Sequence, residues 1–257
     1  MEICALSSGS SGNCFLINNS GKSILVDAGI SCKKIEEGFV SVGKNINSLN
    51  GIFITHEHSD HIIGADVLAR KYNIPIFTTK NLAKNHFVCK DETLIQTIQK
   101  NDNVLMNGME IISFPKIHKA IDPIGFTVLN PKTKKRTSII TDVGHVCKNV
   151  TEQVSFADVL FFESNHDEKM LQEGRYPYFL KKWVGGDDGH LSNTQSALCV
   201  LENSKKRMSD LILSHLSKHN NTPEIALNRH SELIQHRSDL NPRITVSGEI
   251  PTKIFNF

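Results

Sequence analysis

Four residues with metal-binding side chains lie within six positions of one another in the segment His56-Glu57-His58-Ser59-Asp60-His61. The chain has 12 histidines in 257 residues, so this spacing is rare by chance. Imidazole nitrogens and carboxylate oxygens suit zinc, manganese or iron. A structural zinc knot is not indicated, because no cysteine lies near the segment. A set of nitrogen and oxygen ligands can leave a coordination position open for water, as hydrolysis requires. The segment therefore predicts a catalytic metal centre rather than a solvated polar turn.

Other acidic and histidine side chains stand at the ends of short apolar runs. They are Asp27, His118, Asp142, Glu163 and His215, and His56 itself follows such a run. Many of these runs are continuously apolar, as expected for strands that are covered on both faces. Because polar groups at strand ends meet at one rim of a sheet, the six positions predict a single site on that rim.

The elements that must position these residues alternate along the chain. Helix-like segments fall near 31–42, 61–72, 80–88, 192–203 and 223–236, whereas residues 103–141 are typical of consecutive strands with turns. The turns are predicted at Asn107-Gly108 and Asn130-Pro131. This alternation predicts an α/β fold with layered sheets and helices outside. No linker, repeat or low-complexity tract interrupts it, so residues 1–257 are expected to form one domain.

Composition excludes several other classes of protein. A net charge of +2 argues against a polybasic nucleic-acid arm or an acidic tail, although a local basic patch is compatible with a nucleic-acid substrate. The N-terminus lacks the basic and apolar regions of a signal peptide, and no apolar stretch of about 18 residues exists. Six scattered cysteines favour free thiols over three disulfides. A cytoplasmic protein without a membrane partner is expected.

The order of these residues resembles that of the metallo-β-lactamase superfamily. The similarity begins at Asp27 in segment 24–29, includes the 56–61 motif and continues through His118, Asp142 and His215. It implies a four-layer αβ/βα sandwich with two divalent metal ions, Zn²⁺, Mn²⁺ or Fe. One metal would be held by His56, His58 and His118, the other by Asp60, His61 and His215, with Asp142 as the bridge. Asp27 would support the ligands without binding metal, and Asp60 would orient a metal-bridging hydroxide or take its proton.

Further segments resemble the bacterial YycJ/WalJ (VicX)-like subgroup of that superfamily. They are residues 8–14, 123–126, 163–167, 189–193 and 215–221. That subgroup is associated with metal-dependent 5′-to-3′ DNA exonuclease activity, which implies a nucleic-acid substrate for this chain. The resemblance also implies that Glu163 and His190 assist protonation of the leaving group, because a sugar oxygen leaves poorly without a proton. His166 is expected to orient a neighbouring residue of the site.

Candidate substrate contacts are less specific. Ser10 and Asn13 lie in a Ser/Asn-rich turn that either offers donors to phosphate or is a plain hairpin turn. Arg175 and Lys182 lie shortly before the 189–190 loop and are candidates for phosphate binding. Trp183 is compatible both with stacking a base and with core packing.

Three interpretations of function remain at this level. The leading one is a two-metal phosphodiesterase acting on DNA ends. The alternatives are an RNA-processing nuclease and a small-molecule hydrolase that cleaves a thioester, lactone or cyclic phosphodiester. A non-catalytic metal-binding protein is disfavoured because the whole ligand set is present.

Overall fold

The computed structural model describes residues 1–257, which form two sheets of seven strands each. The first sheet has the strand order β14-β1-β2-β3-β4-β5-β6. Its strands are β1 (Glu2–Ser7), β2 (Cys14–Asn19), β3 (Lys22–Val26), β4 (Leu49–Phe53), β5 (Ile76–Thr79), β6 (Ile95–Ile98) and β14 (Phe255–Asn256). The second sheet has the order β13-β12-β11-β10-β9-β8-β7. Its strands are β7 (Asn103–Met106), β8 (Met109–Pro115), β9 (Ile124–Leu129), β10 (Arg136–Ile140), β11 (Val159–Glu163), β12 (Asp210–Ser214) and β13 (Arg243–Val246).

Nine α-helices connect the strands. They are α1 (Cys32–Ser41), α2 (Ser59–Ile62), α3 (Ala65–Tyr72), α4 (Lys80–Asn85), α5 (Lys148–Phe156), α6 (Glu168–Glu173), α7 (Tyr178–Val184), α8 (Asn193–Asn203) and α9 (Pro223–Ile234). None of them is both long and apolar enough to cross a lipid bilayer. The six cysteines are free thiols.

The two sheets pack face to face around an apolar layer to which both contribute. Phe15 of β2 meets Phe161 of β11 edge-on at 5.4 Å between ring centroids, and Phe53 of β4 meets Phe126 of β9 at 5.6 Å. Each fully buried phenylalanine stabilises the fold by about 1.5–3 kcal/mol relative to an exposed one. A second apolar cluster lies under α1, α3 and α4, and a third lies under α5, α8 and α9. The four-layer αβ/βα sandwich predicted from the sequence is therefore confirmed.

The strands that carry the candidate residues end at the same rim. In the first sheet β3 and β4 are parallel. In the second, β10, β11 and β12 are parallel to one another, and β8 runs with them because both β8 and β10 are antiparallel to β9. Asp27, Asp142 and His215 each come after the end of a strand. Their own φ angles, 59°, 55° and 56°, lie in the left-handed region. Non-glycine residues are uncommon in this region, and such strain is concentrated at functional sites.

Several elements differ from the sequence-based expectation. Helices α5, α6 and α7 were not predicted. The single helix expected over residues 61–72 is two helices, α2 and α3, which are separated at Gly64. Its N–H donates to the Ala28 carbonyl at 2.8 Å, and a Cβ there would lie 2.1 Å from the Ile30 carbonyl oxygen. This close contact between two loops requires glycine and breaks the helix.

Candidate metal centre

The loop that follows β4 is anchored from below by Asp27, which is fully buried. Its Oδ1 accepts the backbone N–H of Thr55 at 2.8 Å, and its Oδ2 accepts the Thr55 hydroxyl at 2.9 Å and Nδ1–H of His61 at 2.7 Å. Because the Thr55 hydroxyl donates to this carboxylate, it accepts Nδ1–H of His56 at 2.8 Å. Both imidazoles are thereby oriented with Nε2 directed at the centre, where it can bind a metal once it carries no proton.

A first group of donor atoms consists of three imidazole nitrogens and one carboxylate oxygen. Nδ1 of His58 lies 3.1 Å from Nε2 of His56 and 3.4 Å from Nε2 of His118. Oδ1 of Asp142 lies 3.9 and 3.8 Å from the nitrogens of His56 and His118. Nitrogens bound tetrahedrally to zinc at 2.0–2.1 Å stand about 3.3 Å apart. The spacing of the three nitrogens therefore fits a single divalent ion.

A second group shares Asp142 with the first. Nε2 of His61 lies 3.1 Å from Oδ2 of Asp142 and 3.5 Å from Oδ2 of Asp60. Nε2 of His215 lies 3.4 Å from that same Asp60 oxygen and 3.6 Å from Oδ1 of Asp142. The structure thus brings together all seven residues expected to bind metal: His56, His58 and His118 cluster with Asp142, Asp60 and His61 cluster with His215, and Asp142 also lies within 4 Å of His61 and His215.

The chemistry of these donors fits two cations. Oδ2 of Asp142 is buried and has no hydrogen-bond partner, which is costly unless a cation neutralises it. Burial lowers the pKa of His118 to about 4 and that of His56 well below its usual value. Both rings are therefore neutral at pH 7, as metal ligation requires. Burial also opposes the charging of His61, yet the Asp142 and Asp27 carboxylates raise its pKa to about 10, which shows how strongly this side of the site attracts positive charge.

Glu163, at the end of β11, lies beneath the centre and is fully buried. Its carboxylate accepts ring Nδ1–H of His190 at 2.8 Å and of His215 at 3.0 Å. It also accepts three backbone N–H groups, those of Asp142, Val143 and Leu191, at 2.8–3.2 Å. Burial alone would raise the pKa of Glu163, but the two imidazoles hold it well below its usual value. With its oxygens occupied in this way, Glu163 holds His190 and His215 in place and does not line the cavity above the centre.

Four of the donor residues, His58, Asp60, Asp142 and His215, line a cavity of about 220 Å³. His190 lines it as well, so His190 faces the cavity while its Nδ1 is held by Glu163. The walls include Ser10, Tyr176, Leu180, Trp183 and Ser217. The Trp183 ring packs edge-on against His190 at 5.6 Å. The cavity therefore presents the metal donors and one imidazole together.

Four expected site residues lie elsewhere. Asn13 is fully buried, and its amide contacts Nε2 of His61 at 3.1 Å and the Gly9 carbonyl at 3.2 Å, so it supports the loop and does not face the cavity. His166 makes no hydrogen bond to a metal donor through its ring, whose Nδ1 is unpaired. It lines a separate cavity together with Lys182, on another face of α7. Arg175 is exposed just before α7.

Two features of the site were missed by sequence reasoning. Lys116 is buried next to the centre and donates to the Thr141 carbonyl at 2.6 Å, and burial lowers its pKa although nearby carboxylates oppose this. Its only sequence signal was a lysine within the apolar run before His118. The second feature is a network in which Asn193 joins the Ser164 hydroxyl at 2.6 Å and the Asn221 amide at 2.9 Å. This network fixes the loops that carry Glu163, His190 and His215.

Comparison with known proteins agrees with this geometry. Residues 8–131 match the family model described as the metallo-beta-lactamase superfamily. A crystal structure of the metallo-beta-lactamase fold protein YhfI from Bacillus subtilis superposes with a TM-score of 0.69 at 14% identity, covering 98% of this chain and 99% of that one. The chain belongs to the metallo-β-lactamase superfamily.

Two named relatives share more of the chain's sequence. The chain is 34% identical over 242 residues to a Bacillus anthracis protein named exodeoxyribonuclease YycJ, covering 92% of this chain and 90% of the relative. It is 36% identical over 226 residues to exodeoxyribonuclease WalJ of Streptococcus pneumoniae, covering 86% and 83%. The similarity therefore extends over most of both relatives.

Proposed function

We propose that this protein is a metal-dependent exonuclease that removes nucleotides from the 5′ ends of DNA. The observation that carries the proposal is the identity of 34–36%, over most of the chain, to proteins named exodeoxyribonucleases. The two groups of donors around Asp142 support it, because two-metal sites are suited to phosphodiester hydrolysis. The 5′-to-3′ direction rests on the resemblance to the YycJ/WalJ-like subgroup. Because the donors come from both sheets, we propose that residues 1–257 act as one hydrolase domain.

The residues of the chain have distinct roles in this reaction. His56, His58, Asp60, His61, His118, Asp142 and His215 would hold two divalent cations, which activate water and neutralise charge on phosphorus. Zn²⁺, Mn²⁺ and Fe all suit nitrogen and oxygen donors without thiolate. The Asp60 carboxylate, whose side chain is 23% exposed, accepts the proton of the attacking water. Ser10 at the cavity wall, and Arg175 and Lys182 outside it, are the proposed contacts to the substrate backbone.

His190 is the proposed proton donor to the leaving sugar oxygen. The Nδ1–H of His190 donates a hydrogen bond to Glu163, so Nε2 is the nitrogen that can donate into the cavity. General acids of this kind contribute about 10²–10⁴-fold to the rate. Glu163 acts through His190 and His215 and is a positioning residue.

The test of the function is cleavage of DNA and RNA labelled at the 5′ end, with Mn²⁺ or Zn²⁺ supplied and Asp60→Ala as the inactive control. Release of labelled mononucleotides from DNA, but not from RNA, is expected. Preferential cleavage of RNA would instead support an RNA-processing nuclease. If neither polymer is cut by protein that still hydrolyses bis(p-nitrophenyl) phosphate, a small-molecule hydrolase is the correct interpretation.

The role of His190 is tested with His190→Gln on two leaving groups. Since p-nitrophenolate leaves without a proton, the variant should lose about 10²-fold or more of kcat on DNA and much less on bis(p-nitrophenyl) phosphate. Metal content, measured in parallel, should stay unchanged. An equal loss of kcat on both substrates would contradict the proton-donor role.

A further inference from the structure

Three aromatic side chains are exposed to solvent, although the chain has 13 phenylalanines, three tyrosines and one tryptophan. They are Phe87, Tyr178 and Phe179, with exposed fractions of 65%, 82% and 72%. Tyr178 and Phe179 lie on α7, whose residue Trp183 lines the metal cavity. Phe87 follows α4 and is remote from the 56–61 motif in sequence. Of the three, Phe87 is the one that shares a cleft with a metal donor, His58.

Phe87 forms one wall of a cleft of about 460 Å³, here called the Phe87 cleft, which is formed by residues 57–59, 62–63, 66 and 86–88. Its surface is mostly apolar, and Ile63 on another wall is also 65% exposed. Leaving two large apolar side chains in water is unfavourable. The cleft therefore offers an apolar surface that an apolar group could cover.

The Phe87 cleft lies next to the metal cavity, on the other side of His58. His58, one of the first group of metal donors, lines both of them. Glu57 and Ser59, the residues on either side of His58, line the cleft as well. A group bound in the cleft is therefore adjacent to a phosphate held at the metal centre.

The charges of the cleft favour a neutral occupant over a phosphate. No lysine or arginine lines it, but Glu57 and Asp66 do. Both carboxylates are engaged: Glu57 accepts the Ile121 N–H at 2.8 Å, and Asp66 pairs with Arg70 at 2.8 Å. A further phosphate would meet the Glu57 carboxylate and no lysine or arginine in the lining of the cleft, whereas an uncharged nucleobase would meet the Phe87 ring.

We propose that the Phe87 cleft binds the base of the nucleotide at the 5′ end of the strand, stacked on Phe87. This proposal rests on the proposed exonuclease function. We assign this base to the end nucleotide because a nucleotide beyond it would bring another phosphate to the cleft. No lysine or arginine lines the cleft to bind that phosphate. In a duplex this end nucleotide must be unpaired before its base can enter the cleft, and stacking on the ring offsets part of that cost.

The test compares oligonucleotides that end in a normal 5′ nucleotide with the same strands ending in an abasic one. Stacking of a base on an aromatic side chain changes affinity by about 5- to 150-fold. Wild-type protein should therefore cleave the normal end with a kcat/KM at least about 5-fold above that of the abasic end. In Phe87→Ala this ratio should fall to about one, and in Phe87→Trp it should be retained. Leu105→Ala, on β7 and 75% exposed, is the matched control for loss of exposed apolar surface and should keep the wild-type ratio.

The outcomes separate this proposal from the function on which it rests. If wild-type protein cleaves DNA but Phe87→Ala keeps the wild-type ratio, the cleft does not bind the base and the exonuclease function stands. An equal loss of kcat/KM on normal and abasic ends would also overturn the proposal, because Phe87 would then act on the metal loop. If wild-type protein cuts no DNA, both proposals fall.

Discussion

At the scale of single residues, the geometry of the candidate metal centre depends on two carboxylates that do not line its cavity. Asp27 and Glu163 are both fully buried. Each accepts hydrogen bonds from the ring of at least one metal-site histidine and from backbone N–H groups. Such partners fix the orientation and the protonated nitrogen of a ligand, and they contribute strongly to metal affinity.

Glu163→Gln should impair both metal binding and stability. An amide places N–H groups where the Glu163 carboxylate now meets only donors, so at least one buried donor loses its partner. We expect a loss of about 2–4 kcal/mol in the free energy of unfolding and of at least about 10-fold in metal affinity. Urea unfolding and metal analysis would measure both. Glu168→Gln, at a carboxylate that accepts the Ser192 hydroxyl outside the centre, is the control, and equal effects of the two changes would contradict this role.

Asp27→Asn should weaken both metal groups, because Asp27 fixes His61 directly and His56 through Thr55. A loss of about 10- to 100-fold in metal affinity is expected. Thr55→Val removes only the connection to His56 and should cost less. Titration with Zn²⁺ and a competing chelator gives both affinities. A larger effect of Thr55→Val than of Asp27→Asn would show that Asp27 is not the anchor.

At the scale of elements, the sequence predicted the strands of the site better than the segments around them. The runs before Asp27, His56, Asp142 and His215 are apolar on both faces and short, so their type and position followed from local pattern. The polar residue after each run then predicted the rim. The layered α/β fold followed from the alternation of these runs with amphipathic segments.

The elements that were missed are those defined by distant partners. The last strand, β14, is only Phe255–Asn256 and exists because it pairs with β1. Helix α7 has seven residues and exposes Tyr178 and Phe179, so no amphipathic pattern indicated it. Lys116 was missed for a related reason, since only the tertiary structure shows that this lysine is buried and donates to the Thr141 carbonyl next to Asp142.

The contact between α8 and α9 should make stability fall in acid. His230 of α9 is fully buried, donates Nδ1–H to the Ala226 carbonyl and accepts the Ser196 hydroxyl. Burial lowers its pKa to about 4. Between pH 6.5 and 4 the unfolded chain binds a proton here that the folded chain does not, so stability falls as pH decreases, by up to about 3 kcal/mol.

His230→Gln should therefore reduce the difference in unfolding free energy between pH 7 and pH 5. Urea unfolding at the two pH values measures it. The matched control is His236→Gln, at an exposed histidine just beyond the same helix, which should keep the wild-type difference. If His230→Gln also keeps it, the acid sensitivity has another origin.

At the scale of the whole molecule, the metal donors are divided between the two sheets. The loop after β4 of the first sheet supplies His56, His58, Asp60 and His61. Loops after β8, β10 and β12 of the second sheet supply His118, Asp142 and His215. Each group of donors contains residues from both sheets, so bound cations would join the sheets at this rim, in addition to the apolar layer between them.

Removal of metal should therefore lower the stability of the whole fold. A ligand at about 1,000 times its dissociation constant stabilises the folded state by about 4 kcal/mol, so a chelator should lower Tm by several degrees. Restoring Zn²⁺ or Mn²⁺ should reverse the change. Asp142→Asn, at the residue shared by both groups, should lose more of this metal-dependent shift than His215→Gln, which affects one group. A Tm that does not respond to chelation in wild-type protein would mean that the apolar layer alone holds the sheets together and that the rim is preorganised before metal binds.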